Sequence, residues 1–300
     1  MKKNYFSTIW RILKYTGIFL VILCLVLILI FRLSFNGRQP IVDRHHENKP
    51  QHWFGNKTIC LLIHGFASGP QEMKFLGEYL KEKGFSVQSL LLAGHNQNPA
   101  ALKDIQWENW EQQVRFEIES MKQQNYENIV VIGFSLGGLL ALRTSLMPPV
   151  DGIIAISPCL YIFDKSLYFI PLKLILKITA PLVPFIFRKA NRKYYYQGQV
   201  FDRLIYDEIP VNAVGQLLML ADSTSSILDK IEKPLLLIQA RNDKTVDPVS
   251  SEIIAHSVKS RNKKIMVLPK GGHLIVLNDA RDQVFQEVYE FIKGIQFNEK

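Results

Sequence analysis

From residue 58 onward, short apolar runs alternate with stretches of helical periodicity. The runs are TICLLI (58–63), SVQSLLL (86–92), IVVIG (129–133), GIIAIS (152–157), PLLLIQA (234–240) and KIMVL (264–268). Each is too short for a helix, and none alternates cleanly between apolar and polar residues. That is the pattern of strands covered on both faces. Between them the periodicity predicts helices over about 71–83, 108–124, 137–146, 248–259 and 280–293. Such alternation predicts an α/β fold, a mostly parallel sheet flanked by helices on both faces. Residues 160–227 break the rhythm with aromatics, prolines and Leu/Ile. An insertion of that length between the fourth and fifth predicted strands is expected to form a cap, or lid.

The first 50 residues follow a different pattern. After Lys2, Lys3, Arg11 and Lys14, no charge occurs from Tyr15 to Phe31. A membrane helix needs roughly 17 to 25 apolar residues, and Leu33 with the flanking aromatics Trp10, Tyr15 and Phe35 extends the run. No small-residue cleavage site follows, so an uncleaved anchor is favoured over a signal peptide. The expected organisation is a single-pass anchor over residues 1–35, with 15–33 in the membrane, a polar linker over 36–52 and a body over 53–300. Lys/Arg counts on the two sides of the span tie at four each. The short tail tips the expectation to tail-in, with the body outside the cytoplasm.

Net charge is +9, but residues 1–50 carry eight basic and two acidic residues, leaving +3 for the rest. The pI therefore requires no nucleic-acid-binding surface. Within the body, residues 161–201 hold seven Lys/Arg against one acid, Asp164. Three cysteines (Cys24, Cys60, Cys159) form no disulfide framework. Cys60, in a predicted strand, reads as a small buried hydrophobe.

The segment VVIGFSLGGLL (130–140) places Ser135 where a strand ends and a helix begins, with glycine two residues away on either side. A serine in so tight a turn projects its hydroxyl above the sheet edge, and only small neighbours fit. The helix that follows points free N–H groups at the site, and the Leu136 N–H is positioned to stabilise a developing oxyanion. The serine needs a base, and the base needs an orienting acid. His45, His46 and His52 lie in the linker, His256 in a helix, and His64 and His95 in turns after strands. His273, on the Gly-rich loop after the last strand, is the candidate base. Of the acids in QARNDKTVDP, Asp247 precedes Pro248 and a helix, a capping signature. Asp243 is left at the strand end, free to orient His273. The HGF segment after the first strand supplies the second oxyanion donor, the N–H of Phe66, with Gly65 allowing close approach.

These segments carry a resemblance. LLIHGFASGPQEMKFLGEYLKEKGF, LLAGHNQNP, VVIGFSLGGLLAL, LLLIQARNDKTVDP and GGHLIVLNDARDQV, spanning about 58–297, resemble the α/β-hydrolase superfamily. More narrowly, they are similar to bacterial carboxylesterases and monoacylglycerol lipases with a small cap. The resemblance implies Ser135 as nucleophile, Asp243 as acid, His273 as base, and Phe66 and Leu136 as backbone oxyanion donors. It implies no cofactor, and no metal site is read from the sequence. The expected activity is hydrolysis of carboxylic esters with an apolar acyl chain. Acyl transfer, thioester or amide cleavage, and non-catalytic binding remain as alternatives. His64, Gly65, Phe169, Leu172 and Phe185 are candidates for substrate contact. The partners expected are an amphiphilic or small ester and a membrane, reached through the anchor and through the basic cap. The N-terminal anchor departs from the family, whose esterases are soluble.

Overall fold

The six apolar runs assemble into one sheet; five are mostly buried on both faces, whereas the last, KIMVL, forms an edge strand on which Ile265 and Val267 stay exposed. The computed structural model describes residues 14–16, 48–95, 98–162, 184–187 and 193–297. Strands β1 (His52–Trp53), β2 (Thr58–Ile63), β3 (Ser86–Leu90), β4 (Asn128–Phe134) and β5 (Val150–Ile156) precede the insertion. The insertion contributes β6 (Phe185–Phe187), β7 (Lys193–Tyr196), β8 (Gln199–Asp202) and β9 (Glu208–Pro210), and β10 (Leu235–Ala240) and β11 (Lys263–Leu268) follow it. The main sheet has the order β1-β3-β2-β4-β5-β10-β11. All its pairs are parallel except β1 with β3. The six predicted strands are present, with ends shifted by at most two residues.

Six helices are described: α1 (Lys74–Glu82), α2 (Trp107–Gln123), α3 (Leu136–Thr144), α4 (Val211–Ser225), α5 (Val249–Ser257) and α6 (Arg281–Gly294). Alternation along each strand sends side chains to opposite faces. In β2, Ile59, Leu61 and Ile63 join a cluster with Trp110, Val114 and Ile118 of α2 and with Leu139 of α3. Cys60 and Leu62 join the opposite cluster, with Leu76 and Leu80 of α1 and Val284, Val288 and Ile292 of α6. Every residue of β2 is buried. At roughly 1.5–3 kcal/mol for each large aliphatic side chain taken out of water, these two layers supply the main stabilising term.

The strand order positions the site. The chain passes from β2 to β3 on one side and then crosses to β4 on the other side of β2. At such a reversal the loops leaving the carboxyl ends of the two adjacent strands diverge and open a crevice. Here those loops are His64–Ser68 after β2 and the turn at Ser135 after β4.

The expected cap is a compound element. β6 pairs antiparallel with β9, and β7 pairs with β8 as a hairpin. The hairpin turns through Gln197 and Gly198, both at positive φ, as a two-residue hairpin turn requires. The longest described part of the insertion is α4, whose Leu217, Leu220 and Ala221 pack into the core beside α2 and α3. Sequence periodicity left this helix unread, because Pro210 and the aromatic-rich stretch before it mask its start.

One boundary changes. Asn48–His52, read as the end of a linker, are part of the body. Asn48 is buried and its Oδ1 accepts the Gln71 N–H at 2.9 Å. The Ser89 N–H donates to Gln51 O and the Gln51 N–H donates to Ser89 Oγ, and His52 opens β1. No helix among the described residues is long and apolar enough to cross a membrane. The expected span over 15–33 lies outside the described residues except for Tyr15 and Thr16.

Candidate active site

The elbow at Ser135 follows from two steric requirements. Ser135 has φ 55° and ψ −111°, a conformation that a non-glycine residue adopts only when its surroundings enforce it. A Cβ on Gly133 would come within 1.9 Å of the Gly137 carbonyl oxygen, and a Cβ on Gly137 within 2.2 Å of the Ile63 oxygen. Side chains at either position would push α3 away from the strands. The turn is held by Ser135 N–H donating to Ile156 O and by Cys159, Gly138 and Leu139 N–H groups donating to Ser135 O.

The serine hydroxyl meets its expected partner. Ser135 Oγ lies 3.1 Å from His273 Nε2, and His273 Nδ1 lies 2.8 Å from Asp243 Oδ2. Since the carboxylate only accepts, Nδ1 carries the proton and Nε2 is left to accept from the hydroxyl. The Phe134 ring packs against the imidazole at 4.9 Å between centroids. The loop beneath His273 is tied at Gly272 N–H to Asn242 Oδ1 and at Gly271 O to Asn278 Nδ2.

Asp243 is buried, and all of its acceptor capacity is used. Oδ1 accepts the N–H groups of Thr245 and Val246 at 2.8 and 3.0 Å. Oδ2 accepts from His273 and, at 3.1 Å, from Gln239 Nε2. Burial pushes the carboxyl up, but the hydrogen bond and charge of His273, with the N–H groups of Val246 and Thr245, outweigh it and hold Asp243 below the ordinary carboxylate range. Gln239 was missed at the level of sequence. The available signal was a single amide inside the otherwise apolar run PLLLIQA. Asp247 behaves as its position before Pro248 suggests: its Oδ1 accepts the Val249 N–H at 3.0 Å at the start of α5.

Phe66 and Leu136 sit on the two loops that flank the serine. Leu136 opens α3, where the first N–H groups have no intrahelical acceptor. Gly65 and Phe66 line the cleft above Ser135.

His64, expected to contact substrate, is fully buried. Its Nε2 accepts the Leu92 N–H at 3.1 Å, so its Nδ1 carries the proton and donates to Gly65 O at 2.8 Å. Having strand ends packed around it, it is a structural member of the loop and no wall of the cleft. Phe185, a candidate for substrate contact or for the lid, lies in the insertion but is not among the described residues that line the cleft. It pairs in β6, and its neighbour Ile186 faces the cleft, since successive strand residues point to opposite sides. Phe169 and Leu172 lie outside the described residues.

The cleft has a volume of about 940 Å³. Phe66 and, from the insertion itself, Ile162, Ile186, Ile205, Val214 and Leu217 give the cleft an apolar lining. Lys270, Asp279 and Gln283 border the other side, under the β7–β8 hairpin. The hairpin is fastened there by Tyr196 Oη donating to Asp282, by Gln197 N–H donating to Asp279 Oδ1, and by the Arg281 guanidinium over the Tyr196 ring.

A parallel sheet with this reversal, a strained serine elbow and a hydrogen-bonded Ser–His–Asp set from the carboxyl ends of β4, β11 and β10 define the α/β-hydrolase class. The chain matches the family model described as serine aminopeptidase, S33 (Hydrolase_4), over residues 55–280 and belongs to that family. It is 26% identical over 254 residues to a carboxylesterase of Bacillus subtilis strain 168, covering 83% of this chain and 98% of that one. It is 24% identical over 240 residues to a thermostable monoacylglycerol lipase of Bacillus sp. strain H-257, covering 77% and 88%. Among solved structures, a metagenome-derived lipolytic enzyme described with the pair LipS and LipT superposes with a TM-score of 0.73 at 22% identity, covering 82% of this chain and 97% of that one. The last likeness carries the fold.

The buried histidines give a pH dependence. Burial lowers the pKa of His64, partly offset by its bond to Gly65 O and the charge of Glu72. Burial and the proximity of His64 lower that of His95 further. Both take up a proton in the fold only at a lower pH than in the unfolded chain, which protonates them below about pH 6.5. Unfolding therefore gains up to about 1.4 kcal/mol per pH unit for each histidine as the pH falls below that value. Asp243 acts lower on the scale: its contribution is full above the ordinary carboxylate value and is lost as the pH falls through its depressed one. Chemical denaturation between about pH 7.5 and 5 should show a falling midpoint; a midpoint independent of pH over that range contradicts the assignment.

Proposed function

We propose that the protein is a serine hydrolase that cleaves carboxylic esters of apolar acyl chains through an acyl-enzyme. The observation that carries this reading is the hydrogen-bonded sequence Ser135–His273–Asp243 at 3.1 and 2.8 Å, opening on an apolar cleft. Ser135 Oγ attacks the ester carbonyl carbon and its proton passes to His273 Nε2. Asp243 keeps the imidazole in the Nδ1–H tautomer and stabilises the imidazolium. The N–H groups of Phe66 and Leu136 hold the tetrahedral oxyanion. Collapse expels the alcohol, which takes the proton from His273. Water, deprotonated by the same nitrogen, then attacks the acyl carbon, releases the acid and restores Ser135.

The family description suggests amide cleavage beside a free amino terminus. A substrate ammonium group needs a carboxylate to receive it. Among the described residues lining the cleft, Lys193 and Lys270 stand against one acid, Asp279, while the charge of Arg203 is taken up by buried Glu72. That charge balance favours a neutral or anionic ester over a cationic peptide end, and the names of the esterase and lipase relatives point the same way. The purified protein should hydrolyse medium-chain p-nitrophenyl esters and monoacylglycerols. With aminoacyl p-nitroanilides it should show kcat/KM lower by about two orders of magnitude or more, because ester leaving groups match the apolar, cation-lined cleft. Comparable or better turnover of the anilides would replace the esterase reading with the peptidase one.

The amphiphilic substrates implied by such a cleft reside at lipid surfaces. Residues 15–33 form a membrane anchor on this reading, and the charge-free run of 17 residues from Tyr15 to Phe31 supports it. Exposed Ile186 and Tyr195 at the cleft, with Val200 on the hairpin, and the basic residues of the insertion suit an approach to lipid. The full chain should pellet with membranes and resist carbonate extraction. A chain beginning at Glu47, which keeps the buried Asn48, should be soluble, active and retained on anionic vesicles at low salt. Full-length protein released by carbonate would remove the anchor, and indifference to anionic vesicles would remove the lipid-facing cap.

A further inference from the structure

Glu72 and Arg203 form a buried ion pair that the hydrolytic relay does not use. The Glu72 side chain is wholly inaccessible and that of Arg203 nearly so. Both Arg203 donors, Nε at 2.9 Å and Nη2, go to one carboxylate oxygen, Oε1. The other oxygen, Oε2, accepts the Gly65 N–H at 2.9 Å. The two oxygens thus have separate duties: one holds the insertion, the other the loop after β2. Gly65 is bare where it has to be, since a Cβ there would lie 2.9 Å from Oε2 and 3.2 Å from Phe134.

Gly65 is gripped from both sides. Glu72 takes its N–H, and His64 Nδ1–H donates to its carbonyl at 2.8 Å. That carbonyl and the Phe66 N–H belong to one planar trans peptide and point in opposite directions. Fixing the carbonyl toward buried His64 aims the Phe66 N–H away from it, on the side of the cleft. The loop needs such restraint, because Ala67 holds a φ of 59° that a non-glycine residue leaves readily. Arg203 does not arrive alone. Ser68 Oγ donates to Leu204 O at 3.2 Å, and the Tyr206 N–H donates to Ala67 O at 3.0 Å. Insertion residues 203–206 therefore run alongside the loop.

A buried ion pair is a poor source of net stability, since well-packed apolar residues of the same volume usually do as well or better. What it supplies here is a full charge directed at one backbone N–H. We propose that Arg203 and Glu72 are positioning residues through which the insertion sets the geometry of the oxyanion loop. The inference rests on the serine-esterase reading, in which Phe66 is an oxyanion donor.

The test compares wild type with Glu72→Gln, Arg203→Met, Arg203→Lys and the double variant Glu72→Leu/Arg203→Met. The double variant removes both charges, so no unpaired ion is left buried and folding is kept. With p-nitrophenyl butyrate its kcat should fall roughly ten- to a hundredfold, the scale for a displaced oxyanion donor, while KM changes little. A trifluoromethyl ketone of matching chain, whose adduct carries an oxyanion, should bind more weakly in the same proportion. The corresponding secondary alcohol, which carries none, should bind as before. Arg203→Lys, which keeps the charge, should recover part of the loss seen in Arg203→Met. A folded double variant with wild-type kcat, or equal weakening of ketone and alcohol, overturns the inference and leaves the pair as packing. Failure of a fluorophosphonate to label Ser135 in the wild type is a separate result: it removes the esterase reading and the inference with it.

Discussion

The backbone at Ser135 is the constraint around which the molecule is arranged. A serine at positive φ costs on the order of 1–3 kcal/mol, and it persists because α3, β2 and β4 leave it no other course. Gly133 and Gly137 are the places where those elements come closest. The close approach sets the Ser135 hydroxyl at the mouth of the crevice made by the strand reversal. It also sets the start of α3 beneath it, so the same contact that strains the serine supplies the N–H groups that suit an oxyanion. Strain, crevice and electrostatics are one geometric fact here.

From that point the remaining parts follow by strand order. β10 and β11 end at the same edge of the sheet, so the loops after them bring Asp243 and His273 to the serine. Asp243 is kept ionised in a buried place by four donors from its own loop, from Gln239 and from His273. The opposite loop has a comparable arrangement, with Glu72 receiving donors from Gly65 and Arg203. In both cases a buried carboxylate shapes a loop, and each loop carries a group that faces the substrate. The insertion touches both: Arg203 at the Gly65 loop and, at the Asp243 loop, Tyr161, whose carbonyl accepts the Asp247 N–H.

Much of this was legible in the sequence, for a physical reason. Strands buried on both faces are written as unbroken apolar runs, so β2, β4, β5 and β10 stood out. Ser135, Asp243 and His273 could be named because each sits just past such a run, in chain order. The insertion was legible as a break in the pattern, but its internal elements were not. Its hairpin turns on Gln-Gly instead of the commoner Asn-Gly, and its aromatic residues gave no clean alternation. Contacts far apart in sequence left no local pattern either. Glu72 and Arg203 are 131 residues apart, and Glu72 reads as an ordinary helical surface residue until the fold brings Gly65 against it. The sequence left His64 between a structural role and substrate contact for a similar reason: only the packing of β3 and its following loop, unseen in the local pattern, buries it.

The central claim is that Ser135 is the nucleophile of a covalent acyl transfer. The most direct measurement is rapid quenching of the enzyme with a p-nitrophenyl ester, followed by peptide mapping by mass spectrometry. The account predicts a burst of nitrophenol near one equivalent per chain and the acyl mass on the peptide containing Ser135, with both absent in Ser135→Ala. A burst with the acyl group on another residue, or steady turnover by the alanine variant at a rate near that of the wild type, would contradict it.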